Sequence, residues 1–470
     1  MNVFVYDEMH LKQLFIISAM IKRHRIKQFI VLIAILSVPV CAYPQTDSTN
    51  GDVESFTLGQ CIDYAIKHQP SFNQSLINVR VAKTNNAINL AGWLPQANIS
   101  GNLIHYNQLP TTFLSDSLGD ATIPRRTGVV NTFIPELTVS QTIFNPQLLY
   151  AAKSAPLYIK QARQIRDSTQ IFLISSISKA FYNLLLTLEQ VNVLKEDTAR
   201  LDRNVTDTYN QYIGGIVDET DYDEAVISLN NSKGQLVQQI ENIVPDYATL
   251  KQLMGYPPEK QFNVSFDTLQ MMQEIGFDTT EQLAFEKRIE YQQLQTNKAL
   301  QHEVTGYYGL AFLPTVSAFY NNYLQYEDNN ASQLFNTSYP YSYFGLSFNI
   351  PIFTGFSRLE NIHKSRLQED ILNWSEINLR SQIYTEYTTA LANYKSNMYN
   401  WKMLRDNVTK AKNVYTIVEL QYKQGIVAYL SMIVAESNLI SAEIGYTNAL
   451  FQLLSSKIDL EKAMGDITIQ

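Results

Sequence analysis

Two stretches of this chain repeat each other at almost the same offset, and that duplication limits the possible folds more tightly than composition does. Leu137-Thr-Val-Ser-Gln-Thr-Ile-Phe144 lines up with Leu346-Ser-Phe-Asn-Ile-Pro-Ile-Phe353, 209 residues on. Tyr212 to Leu229 lines up with Tyr422 to Leu439, 210 residues on, with Gly215-Ile-Val217 over Gly425-Ile-Val427. A duplication of this size requires two similar structural units in one chain rather than the two or three unrelated domains its length would suggest. The copies run about 55 to 256 and about 276 to 466. With their flanks, the chain divides into a secretory signal at 1–42, a first repeat at 43–256, a connection at 257–275 and a second repeat at 276–470.

The N-terminal boundary rests on a basic run, Lys22-Arg-His-Arg-Ile-Lys27, followed by apolar text from Phe29 to Val38 and small residues at Val40 and Ala42. This is the order of a cleaved secretory signal, and the apolar stretch is shorter than the roughly 20 residues of a helical membrane span. Met20 is a second candidate start that leaves the mature chain unchanged. Cys41 lies inside the signal, with lipidation there the lesser alternative, and Cys61 then has no internal disulfide partner. The chain holds 36 Lys and Arg against 44 Asp and Glu, and losing a basic leader makes it more acidic still. Nucleic acid is therefore excluded as a partner.

Each copy opens on a possible capping box, Thr57 with Gln60 and Thr279 with Gln282, and continues as helical text to Leu94 and Leu313, where Pro95 and Pro314 end it. The period then changes from helical to alternating. Strands are expected at about 96–108 and 132–144 in the first copy and at about 315–327 and 341–352 in the second. Gln96, Asn98, Ser100 and Asn102 alternate with Ala97, Ile99, Gly101 and Leu103, and Phe344, Leu346 and Phe348 share a face opposite Tyr343, Gly345 and Ser347. Four segments of about ten residues have the length of membrane-crossing strands. Tyr320, Tyr323 and Tyr326 are expected to join an aromatic girdle at the bilayer interface.

Beyond the strands, apolar residues recur at steps of three and four. They are Ile177, Phe181, Leu184, Leu188, Val191, Leu201, Val205 and Tyr212 in the first copy, and Tyr387 through Tyr394, Trp401, Val408, Tyr415 and Tyr422 in the second. This is a sustained heptad seam, and a helix from 150 to 212 would be about 90 Å long. A barrel in hydrocarbon must close, and four strands fall short of the roughly eight that small barrels need. Closure alone permits two, three or four chains.

The order of these features resembles the TolC family of outer-membrane export channels. The resemblance rests on the duplication, the strand pairs inserted between long helices, Leu94-Pro95 and Leu313-Pro314, Asn349-Ile-Pro-Ile-Phe-Thr-Gly355, and Tyr422-x-x-Gly425 followed ten residues on by Ala435. It covers essentially the whole mature chain. The fold it implies, taken with closure, is an α/β membrane protein: a trimeric 12-stranded transmembrane β-barrel, four strands per chain, continued by a long α-helical coiled-coil periplasmic tube.

The function it implies is passive conduction in a tripartite efflux system. The homotrimer would stand in outer-membrane lipid and dock to a periplasmic adaptor and an inner-membrane RND or ABC pump. A type I protein-secretion duct is the alternative within that architecture, and a structural coiled-coil envelope protein the alternative outside it.

On this reading residues 109–131 and 328–340 form extracellular loops. Tyr212, Gly215, Tyr422 and Gly425 form the periplasmic helical-tip turns, and 43–56, 256–278 and the C-terminal end form a belt. The resemblance implies an acidic gate just after the second-copy turn, and this sequence departs from that pattern by holding Ser431 and Val434 at those positions. The first-copy counterparts are Asp221 and Glu224, inside the acidic run Asp218, Glu219, Asp221, Asp223 and Glu224. Three such runs around one axis would concentrate negative potential, whereas a merely solvated helix start would favour the same acids through the helix dipole. Catalytic, cofactor and metal sites are not expected. His68, His105, His302 and His363 are scattered, His302-Glu303 lacks the second histidine of a zinc helix, and no Gly-rich phosphate loop occurs.

Overall fold

The computed structural model describes residues 54–115, 122–265, 275–276 and 282–467, and the expected signal at 1–42 and the cap residue Thr279 lie outside them. Among the described residues the first copy opens with β1 (Ser55–Phe56), α1 (Leu58–His68) and α2 (Pro70–Leu90). It continues through β2 (Gln96–His105), β3 (Thr111–Ser115), β4 (Thr122–Arg126) and β5 (Asn131–Phe144) into α3 (Pro146–Ile213) and α4 (Glu219–Met254). β6 (Asn263–Val264) lies in the connection. The second copy holds α5 (Ile289–Leu310), β7 (Thr315–Asp328), β8 (Ser338–Asn349), α6 (Ser357–Lys423) and α7 (Tyr429–Met464).

The two copies are not identical at their starts. Thr57 Oγ1 accepts from Gln60 N while Gln60 Oε1 accepts from Thr57 N, so the first capping box is complete. The helix then breaks at Gln69, because Pro70 can begin a helix but cannot continue one. In the second copy the helix begins only at Ile289, after a 3-10 turn at Phe285–Lys287 and an extended Arg288, rather than at the expected position near Gln282. Arg288 fixes that start: it is buried and donates to Glu290, Glu386 and the Ala463 carbonyl, satisfying the guanidinium that would otherwise oppose burial.

Helices α3 and α6 are 68 and 67 residues long, about 100 Å each at 1.5 Å per residue. Each turns back into a 36-residue partner, α4 or α7. Of the seam residues read from the sequence, Ile177, Phe181, Leu184, Val191, Leu201, Tyr394, Trp401 and Tyr415 are buried. The largest core gathers where both hairpins meet α1 and the β1–β6 ribbon, and Leu184, Leu185, Leu250, Leu453, Leu454, Cys61 and Ala65 are closed from solvent there. Each fully buried Leu is worth about 1.5–3 kcal/mol of transfer energy. Phe56, Tyr256 and Phe262 pack edge to face around the parallel β1–β6 pairing, tying the connection to the helices.

The four long strands form one antiparallel sheet in the order β2-β5-β7-β8, which leaves β2 and β8 as open edges of the chain. Register puts Ile99 beside Leu137, Val139 beside Tyr320 and Tyr320 beside Phe344 on one face; Ser100, Glu136, Tyr323 and Tyr341 follow one another across the other. The tyrosines therefore divide. Tyr320 and Tyr326 lie on the apolar face, as an aromatic girdle requires. Tyr323 lies on the polar face with Tyr339, Tyr341 and Tyr343, because side chains alternate with period two and cannot all reach lipid. The expected loop at 109–131 also contains structure of its own, the β3–β4 hairpin.

Gly255 and Gly465, again 210 residues apart, end α4 and α7 with φ of 68° and 79°. A Cβ on Gly255 would stand 2.9 Å from both Gln69 Cα and His68 O. Left-handed backbone and a backbone clash act together, so Gly255→Ala is expected to destabilise the helical body by about 2 kcal/mol or more. Gly215→Ala, where the φ of 69° is also positive but nothing lies within 4 Å, is expected to cost about half as much. Thermal unfolding of the two variants side by side checks the order.

Candidate functional site

The two turns at the far ends of the hairpins are built alike. Tyr212 O accepts from Gly215 N at 2.9 Å and Gln211 O from Ile216 N at 2.8 Å, and Tyr422 O and Gln421 O accept in the same way from Gly425 N and Ile426 N, both at 2.9 Å. These paired bonds satisfy the last helical carbonyls, and they require a left-handed residue, supplied by Gly215 and Gly425 at φ of 69° and 72°. The turns are joined sideways by Tyr422 Oη donating to Gln211 Oε1 at 2.8 Å. Tyr212 stacks on Tyr222, and Tyr422 packs on Tyr429. Ile213, Ile216, Ile426 and Leu430 are left exposed around them.

Beyond the turns, Asp221 is half-buried and Glu224 exposed at the start of α4, while Ser431 and Val434 are both exposed at the start of α7. The structure brings each pair onto the first turns of its helix. Glu219 and Asp221 lie in the first turn of α4, where their charge favours the helix dipole, and α7 carries no acid in its first turn.

Further along the hairpins, sequence reading passed over a buried charged cluster. Glu436 on α7 accepts from Asn204 Nδ2 of α3 at 2.8 Å, 232 residues away in the chain. Asp197 on α3 accepts from Arg200 Nη2 at 3.1 Å and from Ser232 Oγ of α4 at 2.7 Å. Arg200 Nε is 3.6 Å from Glu436 Oε1, Arg200 Nη2 is 3.9 Å from Glu443 Oε2, and the guanidinium lies over the Tyr415 ring of α6. Asp197 and Glu436 are closed from solvent, and Arg200 Nε and Glu436 Oε1 have no hydrogen-bond partner. The cluster walls a cleft of about 510 Å³ lined by Ser228, Asn231, Gln235, Ser437 and Asn448 as well.

One guanidinium thus serves three carboxylates, two of them closed from solvent. Burial, reinforced by Asp197, raises the Glu436 carboxyl to about 7, and burial also raises Asp197 and Glu443 against the opposing pull of Arg200. The signal available in the sequence was Glu436 itself, a charge between Ala435 and Leu439 on the buried side of α7.

The remaining singled-out residues have local roles. Cys61 is buried, and burial pushes its thiol up to about 12, leaving it a packing residue. His68 Nδ1 pairs with Tyr64 O and His105 Nδ1 with Asn131 Oδ1. Among the described residues no group of three or more His, Cys, Asp or Glu is arranged to hold a metal ion.

The sequence model of the family described as outer membrane efflux protein matches residues 61–256 and 306–466. Two curated relatives from Pseudomonas putida, the probable efflux pump outer membrane protein TtgC and the antibiotic efflux pump outer membrane protein ArpC, are each 22% identical over 306 residues. That match takes in 65% of this chain and 62% of each relative, so it spans less than two thirds of their length. The fold is similar to the outer membrane protein VceC of Vibrio cholerae, with a TM-score of 0.69 at 15% identity over 87% of this chain and 96% of that one. It is also similar to the CmeC outer membrane channel of Campylobacter jejuni, with a TM-score of 0.68 at 19% identity over 87% and 85%.

Glu436 holds a proton in the folded chain that the unfolded chain has released above its ordinary value of 4.5. Stability is therefore greatest below about pH 4.5 as far as this group is concerned and falls as pH rises to about 7, by on the order of 3 kcal/mol. Glu436→Gln, which keeps an acceptor for Asn204, is expected to flatten that slope in pH-dependent thermal unfolding.

Proposed function

The chain belongs to the outer membrane efflux protein family, and from that membership we propose that it is the outer-membrane channel of a tripartite efflux system, conducting substrates passively and without catalysis. The observation that carries this reading is the four-stranded sheet with two faces and two open edges. Ile99, Leu103, Phe344, Leu346 and Phe348 are well exposed on one face, and the other carries Glu136, Asn98, Ser100 and Asn321. A lone sheet of this kind is untenable in hydrocarbon, where each unpaired backbone group costs several kcal/mol. Joining β2 of one copy to β8 of the next removes every edge, puts the apolar face on lipid and puts the polar face around a lumen. Three copies supply twelve strands, which fits a homotrimer.

The long hairpins continue such a barrel as a tube into the periplasm. Their exposed Ile213, Ile216, Ile426 and Leu430 offer apolar contact for an adaptor that joins the channel to an inner-membrane pump. Protein gently extracted as trimers is expected to give discrete conductance steps in a planar bilayer. Correctly assembled trimers without conductance would overturn the channel reading.

Within that channel we assign the periplasmic gate to the beginnings of α4 and α7. Asp221 and Glu224 border the acidic side of the constriction and Ser431 and Val434 its less polar side. Asp221→Asn combined with Glu224→Gln is expected to lower cation preference and weaken block by multivalent cations severalfold. Single-channel recordings in one salt condition measure both, and values equal to the parent's would remove the acidic assignment.

A further inference from the structure

We propose that the polar face of the β2-β5-β7-β8 sheet carries, around Glu136, an aromatic and acidic binding site for organic cations. The inference rests on the channel reading, because it requires that this face look into the lumen. Glu136 Oε1 accepts from Tyr323 Oη at 2.6 Å and from Thr138 Oγ1 at 2.9 Å. Both bonds fall on one oxygen, so the other keeps its lone pairs for a ligand. The Tyr323 ring stacks on Tyr341 with centroids 4.6 Å apart and an interplanar angle of 10°, and on Tyr343 at 5.9 Å and 17°. Tyr323 Oη is 3.2 Å from Tyr343 Oη, and Asn321 Nδ2 donates to Tyr343 Oη at 3.1 Å. The rings are therefore held as a wall rather than left as independent side chains.

Phe319 extends the wall, meeting Tyr343 edge to face at 6.1 Å. Its place depends on Gly345 across the strands, where a Cβ would come within 2.9 Å of the Phe319 ring. Charge along this face has one sign. Of the residues that alternate onto it from the four strands, Glu136 and Glu327 are acidic and none is Lys or Arg. Tyr323 commits its hydroxyl proton to the carboxylate and its ring faces to its two neighbours, so the outer faces of Tyr341 and Tyr343 are the electron-rich surfaces that attract a cation within about 6 Å of a centroid. A carboxylate beside stacked rings suits a ligand that is both positively charged and apolar. An anion of the same shape meets the same rings but the wrong charge.

Tetraphenylphosphonium and tetraphenylborate, alike in shape and opposite in charge, are the probes. In single-channel recordings of the whole protein, tetraphenylphosphonium is expected to interrupt the current at concentrations where tetraphenylborate does not. Glu136→Gln, which preserves an acceptor for Tyr323 and Thr138, should weaken that apparent affinity about tenfold, and Tyr341→Leu, which leaves the carboxylate intact, about threefold. Both variants are compared at parental conductance, so a misfolded barrel shows as missing channels and not as weakened block. Equal response to the two probes, or block unchanged in Glu136→Gln, overturns the site while the channel stands. Absence of any conductance in the parent overturns the channel reading and the site with it.

Discussion

Every backbone N–H and C=O in the hydrocarbon of a bilayer must find a partner within protein, and this chain leaves two strands without one. β2 and β8 each pair on one side only, at the two ends of a sheet that is apolar on one face and polar on the other. The rest of the molecule can be understood from that deficit. On the proposed channel reading it calls for neighbouring copies, held in the rotation that lets β8 meet the next β2. The helical body, with its long hairpins and the core around Leu184, Leu250 and Leu453, supplies a rigid base from which the four strands emerge at fixed spacing.

The duplication explains how one chain provides that base economically. Two hairpins of nearly equal length, with matching glycine-terminated turns and matching left-handed caps at Gly255 and Gly465, stand side by side. The copies diverge at the entries to their helices. Asn145 caps α3 directly after β5 through its Oδ1, whereas β8 passes through an irregular segment in which Gly355 and Phe356 both adopt positive φ before α6 begins. The acids follow the same split, with Glu219 and Asp221 at the start of α4 and none in the first turn of α7. Two otherwise similar hairpins therefore present different electrostatic ends.

Charge buried between the hairpins is a different matter from charge at their ends. Asp197, Arg200 and Glu436 lie where the first and second copies meet, and Arg200 Nε and Glu436 Oε1 face each other at 3.6 Å without a hydrogen bond, so that contact is incompletely satisfied. An apolar seam alone would hold the hairpins more firmly, since half-satisfied buried ions stabilise less than the hydrophobic contact they replace. A polar cleft lies beside this contact, lined by residues of α3, α4 and α7.

Much of this was legible in the residues alone. Period-two and heptad patterns are local, so the strands, the long helices and the glycine turns could be read from Gln96 to Leu103, from Ile177 to Tyr212 and from Gly215 and Gly425 without a neighbour in view. Partnership across the fold could not. Alternation says that Tyr323 and Tyr320 face opposite ways, but only the pairing of β7 with β5 puts Tyr323 on Glu136, 187 residues distant. Ala435 and Leu439 mark a buried side of α7 next to position 436, but only the packing of α7 on α3 makes the neighbours of Glu436 Asn204 and Arg200. Local periodicity is encoded within a few residues of itself, whereas register between distant segments is chosen by the burial and hydrogen bonding of the assembled chain.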